Sequence, residues 1–524
     1  MFVRPIRLFR HRVFMVDLCR IVTRLFESVV RESRDEPLPC LEGRLPAGLR
    51  GVLFRNGPGR FERGGHRYGH PFDGDGMVSR FAFDGGGVRY SNRFVQTREL
   101  LAEERADTLL YRGFGTLRPG GWWRNALRMR FKNAANTNVI AHAGKLLALW
   151  EGGWPHELDP QTLATRGRYS FGGKLENRFS AVERLINPEL PFSAHPKWDP
   201  DTGHLHNFGL AFGRKNRLLL YDVDTRGHMA EPRIEELPAL SFAHDFALTR
   251  NYWVFLLPAV EFRIARTLWG TSSPVGALSA DSRRPMQVLL VPRHGGPSRM
   301  FDAIPGFAFH LAGAYENARG EVVVDAMVMD RFPDLSRPED MVSPEVCESD
   351  GVGRGLATPT RLYCDPTRGH VSASVLAPFS VETPTVAPQQ TGWYRDRHRV
   401  IWGTATAPGM KIPFYSSLCR IDLTTGQHVT RDLFPNLPSE PIPIAAPGAR
   451  SAEQRGWLAV PVYIADAHVT DLLIVDATTL ATVARFRLPH HLPHDFHGGF
   501  VSHQRYQDMF GAGVASTEPL AQVA

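Results

Sequence analysis

One phrase recurs along the chain: an apolar strand ends in Asp, a short Thr-containing turn follows, and a second strand begins. It reads LDPQTLAT from 158, WDPDTGHL from 198, YDVDTRGH from 221, CDPTRGHV from 364, IDLTTGQH from 421 and VDATTLAT from 475. An Asp carboxylate closes such a turn by accepting backbone N–H groups ahead of it, and Gly takes the positive φ. One hairpin type spread over so much sequence means one supersecondary unit repeated, which must stack on its neighbours to bury its apolar faces. Small sheets repeated radially leave few exposed edges, so an all-β propeller is the economical architecture and a pair of β-sandwiches is the alternative. The 48 Gly and 40 Pro of the 524 residues supply the punctuation that many short strands need. Length alone would allow about three domains. Nothing resembles a linker or a low-complexity tail, so residues 41–524 are expected to form a single domain. The long insertions 259–296 and 335–357 are expected to cover one face as a lid.

The net charge of +7 is spread and mostly arginine. No basic stripe carries interleaved stacking aromatics, which argues against nucleic acid. Cys19, Cys40, Cys347, Cys364 and Cys419 are scattered, odd in number and without metal spacing, a pattern of a reducing cytoplasm without disulfides. The N-terminal MFVRPIRLFRHRVFMVDLCRIVTRLFESVV is basic, then apolar, but Asp17, Arg20 and Arg24 interrupt it before a signal segment could form. Its periodicity fits an amphipathic helix, so residues 1–40 are expected to be a helical extension. No run reaches the ~18 apolar residues of a spanning helix. A cytoplasmic protein, soluble or peripheral on the membrane, is expected.

Four of the 21 histidines stand among apolar neighbours at strand ends: His195 in PFSAHPKWD, His244 in SFAHDFALT, His310 in GFAFHLAGAYE and His497 in LPHDFHGGF. Their separations match no local zinc motif. Each alone reads as a hydrogen-bonded core histidine. In a propeller, however, inner strands converge on the axis, where residues distant in sequence meet.

Longer motifs carry a resemblance. LRGVLFRNGPGRF from 49, HPFDGDGMVSRFAF from 70, NAANTNVI from 133, LLALWEGGWPHELD from 146, VETPTV from 381 and SEPIPI from 439 occur in order together with the four histidine phrases. Over about residues 41–500 the chain resembles the carotenoid cleavage oxygenases, which include retinal-forming oxygenases and lignostilbene dioxygenases. The resemblance implies a seven-bladed β-propeller with a helical and loop dome over one face. It also implies one Fe(2+) per chain held by His195, His244, His310 and His497. Glu151, Glu382 and Glu440 are then expected to fix the last three histidines, leaving His195 without a carboxylate, and Asp245 to set the loop around His244. Four neutral imidazoles leave the charge of Fe(II) uncancelled and two octahedral positions open. A second nitrogen held by an acceptor fixes each tautomer.

Two positions depart from the family pattern. Leu311 stands where a second histidine often follows the third ligand, and Trp150 where a lysine engages the phenol of stilbene substrates. Trp150 favours an apolar polyene, cleaved with O2 at one C=C bond into two aldehyde or ketone products. The alternatives are a lignostilbene-type dioxygenase, a branch that isomerises retinyl esters, and a non-enzymatic propeller that binds other proteins.

The segment RGFGTLRPGGWWRNALRMRFKN from 112 places Trp123, Ala126, Leu127 and Phe131 on one helical stripe, with Arg124, Arg128 and Arg130 able to reach headgroups. Membrane contact through Trp122, Trp123, Leu127 and Phe131 is expected. A helix packed on the propeller by the same stripe is the alternative. FDGDG from 72 lacks the glutamate of a calcium loop and reads as a tight turn. GVGRG from 351 lacks the strand and helix of a nucleotide loop, and no nucleophile elbow is present.

Overall fold

A computed structural model describes residues 20–186, 189–212, 215–238, 242–281, 283–332, 356–387, 398–406 and 415–511. Seven antiparallel sheets form the blades of a propeller. Blade 1 contains Arg50–Arg60, Asp75–Asp84, Val88–Phe94 and His497–Ser502, and blade 2 contains Asn138–His142, Lys145–Leu149, His156–Leu158 and Thr165–Arg168. Blade 3 runs from Lys197–Trp198 to Arg233–Leu237, blade 4 from Ala247–Leu248 to Arg299–Pro305, and blade 5 from Phe307–Glu316 to His370–Val375. Blade 6 runs from Val381–Thr385 to His428–Asp432, and blade 7 from Leu437–Pro438 to Thr482–Arg487.

Alternating side chains explain why blade strands read as nearly continuous apolar runs. In Tyr252–Leu257, Trp253, Phe255 and Leu257 pack towards blade 3, while Val254 and Leu256 pack towards blade 5. A strand buried on both faces has no polar side to show. Seven such apolar clusters lie between successive blades, the last joining Ile442, Leu472 and Phe486 of blade 7 to Leu53, Phe81 and Tyr90 of blade 1. The ring closes by chain mixing. The late strand His497–Ser502 pairs with Arg50–Arg60, and the early strand Cys40–Gly43 pairs with Thr482–Arg487.

All six Asp-Thr turns have the expected carboxylate contacts, but Gly takes the positive φ in only four of them, and Leu163 and Leu480 take it in the two without Gly. Asp159, Asp199, Asp365, Asp422 and Asp476 each accept the N–H groups two and three residues ahead. Asp224 accepts those of Arg226 and His228. Five of these turns lead into the fourth strand of their blade; the Asp199 turn joins the first two strands of blade 3.

The insertion expected over 259–296 ends earlier, because Pro285–Pro292 is a strand of blade 4. The remainder holds the short helix Ile264–Leu268 and packs on the 112–131 segment: the Leu127 N–H donates to the Leu268 carbonyl, and the Val275 N–H to that of Phe114. Most of 335–357 lies outside the described residues. The extension enters at residues 20–25, which are helical, with Ile21 and Leu25 packed on Leu437, Tyr463 and Ala465; residues 1–19 lie outside the described residues. Cys40, Cys364 and Cys419 are unpaired.

The helical stripe expected within 112–133 does not form. Only Trp122–Arg124 makes a single 3-10 turn, and Leu127 has φ 58, a left-handed value that ends a helix. Instead the buried Arg112 guanidinium donates to the carbonyls of Asn125, Arg128 and Ser272. Trp122, Trp123 and Leu127 are exposed, whereas Phe131 is half-buried against the Arg112 guanidinium. Among the described residues no helix is long and apolar enough to cross a membrane.

Candidate metal centre

Each blade sends one residue of the centre towards the axis. His497 opens the innermost strand of blade 1, His195 and His244 lie two and three residues before the innermost strands of blades 3 and 4, and His310 lies in that of blade 5. Glu382 lies in the innermost strand of blade 6, Glu440 between two inner strands of blade 7, and Glu151 just beyond the second strand of blade 2. The pairing register shifts between Ala308 and Leu311, a bulge of the kind that re-aims a side chain.

The four histidines meet. One nitrogen from each lies within 4.8 Å of those of the others. Ring centroids of His195 stand 4.4, 5.4 and 4.6 Å from those of His244, His310 and His497. Nδ1 of His244 faces Glu151, Nδ1 of His310 contacts Glu382, and Nδ1 of His497 lies 2.9 Å from Glu440. A nitrogen held by a carboxylate carries the proton, which turns the lone pair of Nε2 to the centre. Nε2 of His310 is buried there without a hydrogen-bond partner. Among the described residues no carboxylate contacts His195; its Nε2 lies 3.0 Å from that of His244. Four converging imidazoles, three of them fixed by carboxylates and one of those three, His310, with an orphaned Nε2, fit a divalent first-row ion such as Fe(II).

Residues 26–502 match the family described as retinal pigment epithelial membrane protein. The chain belongs to the carotenoid cleavage oxygenase family. It is 35% identical over 472 residues to the apocarotenoid-15,15'-oxygenase of Synechocystis sp., covering 88% of this chain and 92% of the relative. It is 28% identical to the isoeugenol monooxygenase of Pseudomonas nitroreducens, covering 88% and 94%. The crystal structure of cobalt-substituted Synechocystis ACO superposes with a TM-score of 0.84 at 32% identity, covering 92% of this chain and 99% of that one. The chain is therefore an oxygenase.

Electrostatics set His195, His310 and His497 apart in this carotenoid cleavage oxygenase. Burial, and then the neighbouring rings, push His195 well below its ordinary range. Burial also lowers His497 despite the pull of Glu440. His310 is raised: burial opposes its charge, but the Glu382 carboxylate outweighs it. Glu440 is held down to about 2, burial being overcome by His497 and Arg55.

Arg55 was not singled out by sequence reasoning. Its fully buried guanidinium bonds Glu440 at 2.6 Å and Asp495 at 2.8 and 2.9 Å. A lone arginine inside the apolar run GVLFRN was the available signal. Glu382 differs, since its second oxygen is buried without a partner. The FDGDG turn proves to be a clasp. Asp73 accepts from the Phe114 and Gly115 N–H groups and from the Thr116 hydroxyl, while Asp75 pairs with the buried Lys132 at 2.5 Å. Both ends of the segment bearing Trp122 and Trp123 are thus pinned to one turn. Gly113 permits this approach, because a Cβ there would stand 2.4 Å from the Asp73 carboxyl carbon.

Apolar rings border the histidines. Phe309 meets the His244 ring edge-on at 5.3 Å and leads to Phe307 and Phe332. On the side of His497, Phe496 packs against Phe72, which stacks on Phe114. Phe309, Phe496 and Phe114 remain half-buried beside this buried centre, leaving apolar surface beside the imidazoles.

Proposed function

We propose that this chain is a non-haem Fe(II) dioxygenase that cleaves one C=C bond of an apocarotenoid or carotenoid. The bond and one O2 give two carbonyl products, so the atoms balance without a further reductant. The convergence of four imidazoles at the axis is the observation that carries this reading. The name of the 35% identical relative supports an apocarotenoid substrate. A bound Fe(II) would supply activation of O2.

The protein's own groups bind and orient. His195, His244, His310 and His497 would hold the ion, and Glu151, Glu382 and Glu440 keep three Nδ1 protons in place. Phe309, Phe496 and Phe72 offer a polyene apolar contact and exclude water. The Trp150 indole lies over Gly152, where a Cβ would come within 2.6 Å of the ring, and presents no cation to a phenol.

The substrate would be drawn from a membrane. Leu127 and the 264–270 segment are hydrogen-bonded neighbours, so the exposed Trp269 joins Trp122, Trp123 and Leu127 on one surface. Arg118, Arg124 and Arg128 lie in the same segment, and burial together with Arg128 and Arg124 lowers the pKa of Arg118. Such a basic, aromatic surface suits peripheral contact with an anionic leaflet.

The test is product analysis after anaerobic Fe(II) loading, with apocarotenals, carotenoids and stilbenes offered under labelled O2. The expected result is cleavage of a polyene with one labelled oxygen in each product. Cleavage of stilbenes alone, or none by the loaded protein, would overturn the reading.

A further inference from the structure

We infer that Asp245 is a positioning residue that locks three of the four histidine-bearing loops into one unit, an inference resting on the proposed metal reading. Its carboxylate is buried and lies immediately after His244. One oxygen accepts the N–H of Leu311, the residue after His310, at 2.9 Å. The other lies 2.8 Å from the ammonium of Lys197, two residues after His195, and accepts the Phe246 N–H at 2.8 Å. Blades 3, 4 and 5 are therefore joined at their axial ends through one side chain.

The arrangement complements the glutamates. Glu151 and Glu382 fix how two imidazole rings are turned, whereas Asp245 fixes where three histidine backbones stand relative to each other. His195, which shows no carboxylate contact of its own, gains its constraint through Lys197. Leu311 also acquires a role independent of its side chain, since it is the backbone N–H that the clamp uses. The fourth histidine has a separate anchor: Arg55 bonds both Asp495, two residues before His497, and the Phe496 carbonyl.

Loss of an outer partner of a metal ligand typically weakens metal binding about 10–100-fold. Co(II) titration of the full-length protein, followed by visible absorption and by the rise in melting temperature that Co(II) produces, tests the clamp. For Asp245→Ala the expected result is at least a tenfold weaker Co(II) dissociation constant, an altered Co(II) spectrum and a smaller metal-induced rise. Lys197→Met, which leaves the two N–H bonds intact, should weaken binding at least threefold, and Lys197→Arg should restore it. If the Asp245→Ala protein is unfolded, the Lys197 pair alone decides the outcome. Wild-type affinity and spectrum in Asp245→Ala, or in Lys197→Met, would overturn the clamp while leaving the metal reading intact. Failure of the wild-type chain to bind Co(II) would overturn both.

Discussion

Glu440 and Glu382 perform the same task under different electrostatic conditions. Glu440 shares its charge between His497 and the buried Arg55, which also engages Asp495. Removing the cation from such a cluster strands two buried carboxylates, a loss on the order of 3–5 kcal/mol. Arg55→Met is therefore expected to destabilise the protein more than Glu440→Gln, which leaves Arg55 paired with Asp495; urea denaturation of the metal-free forms measures the difference. Equal unfolding midpoints would mean that the guanidinium does not hold this cluster together. At this scale the sequence reveals histidines and glutamates because each sits in a phrase that a family keeps. Arg55 escapes assignment, and Asp245 is read only as setting the loop around His244, because their partners lie 385 to 440 and 66 positions away. No periodicity reports such pairings.

The Asp-Thr turn and the two-faced apolar strand are local chemistry, so the sequence displays them openly. The 112–133 segment is misread for an equally local reason. Apolar spacing matches a helical stripe, but Arg112 draws three carbonyls around itself and Leu127 adopts a left-handed φ. The resulting loop exposes its tryptophans instead of packing them. Trp269, from another insertion, could not be placed beside them without the fold. Replacing Trp122 and Trp269 together by Glu puts two charges on the surface proposed to meet lipid; liposome flotation with anionic vesicles should fall several-fold at unchanged thermal stability. Unchanged flotation would remove the membrane proposal. The clasp makes a separate prediction. Asp73→Ala frees the N–H groups of Phe114 and Gly115, so limited trypsinolysis should cut at Arg118, Arg124 or Arg128 at least several-fold faster than in the wild type. Identical cleavage rates would show that the loop holds itself.

Closure of the ring pairs Cys40–Gly43 with the last blade and His497–Ser502 with the first, so stability is a property of the whole disc. Many histidines are sealed within it. Burial lowers His156 to about 3 and His70 and His491 to about 4. A histidine whose folded pKa lies below its unfolded value of 6.5 takes up protons preferentially when unfolded. Its contribution is thus intact above pH 6.5 and lost progressively as pH falls towards the folded value. For His156, with both ring nitrogens buried without partners, the loss at pH 5 is about 2 kcal/mol. Melting temperature should therefore drop steeply between pH 6.5 and 4, and His156→Leu should flatten that slope. An unchanged slope in the variant would assign the acid sensitivity elsewhere.

The most direct measurement is iron per chain after anaerobic Fe(II) loading and desalting, for the wild type and for a His244→Ala, His310→Ala double variant that keeps its β-rich circular dichroism. Four imidazoles carried to one axis by separate blades predict one tightly held iron in the wild type and almost none in the variant. A wild type that retains no iron, or a variant that retains as much, would contradict the account at its centre.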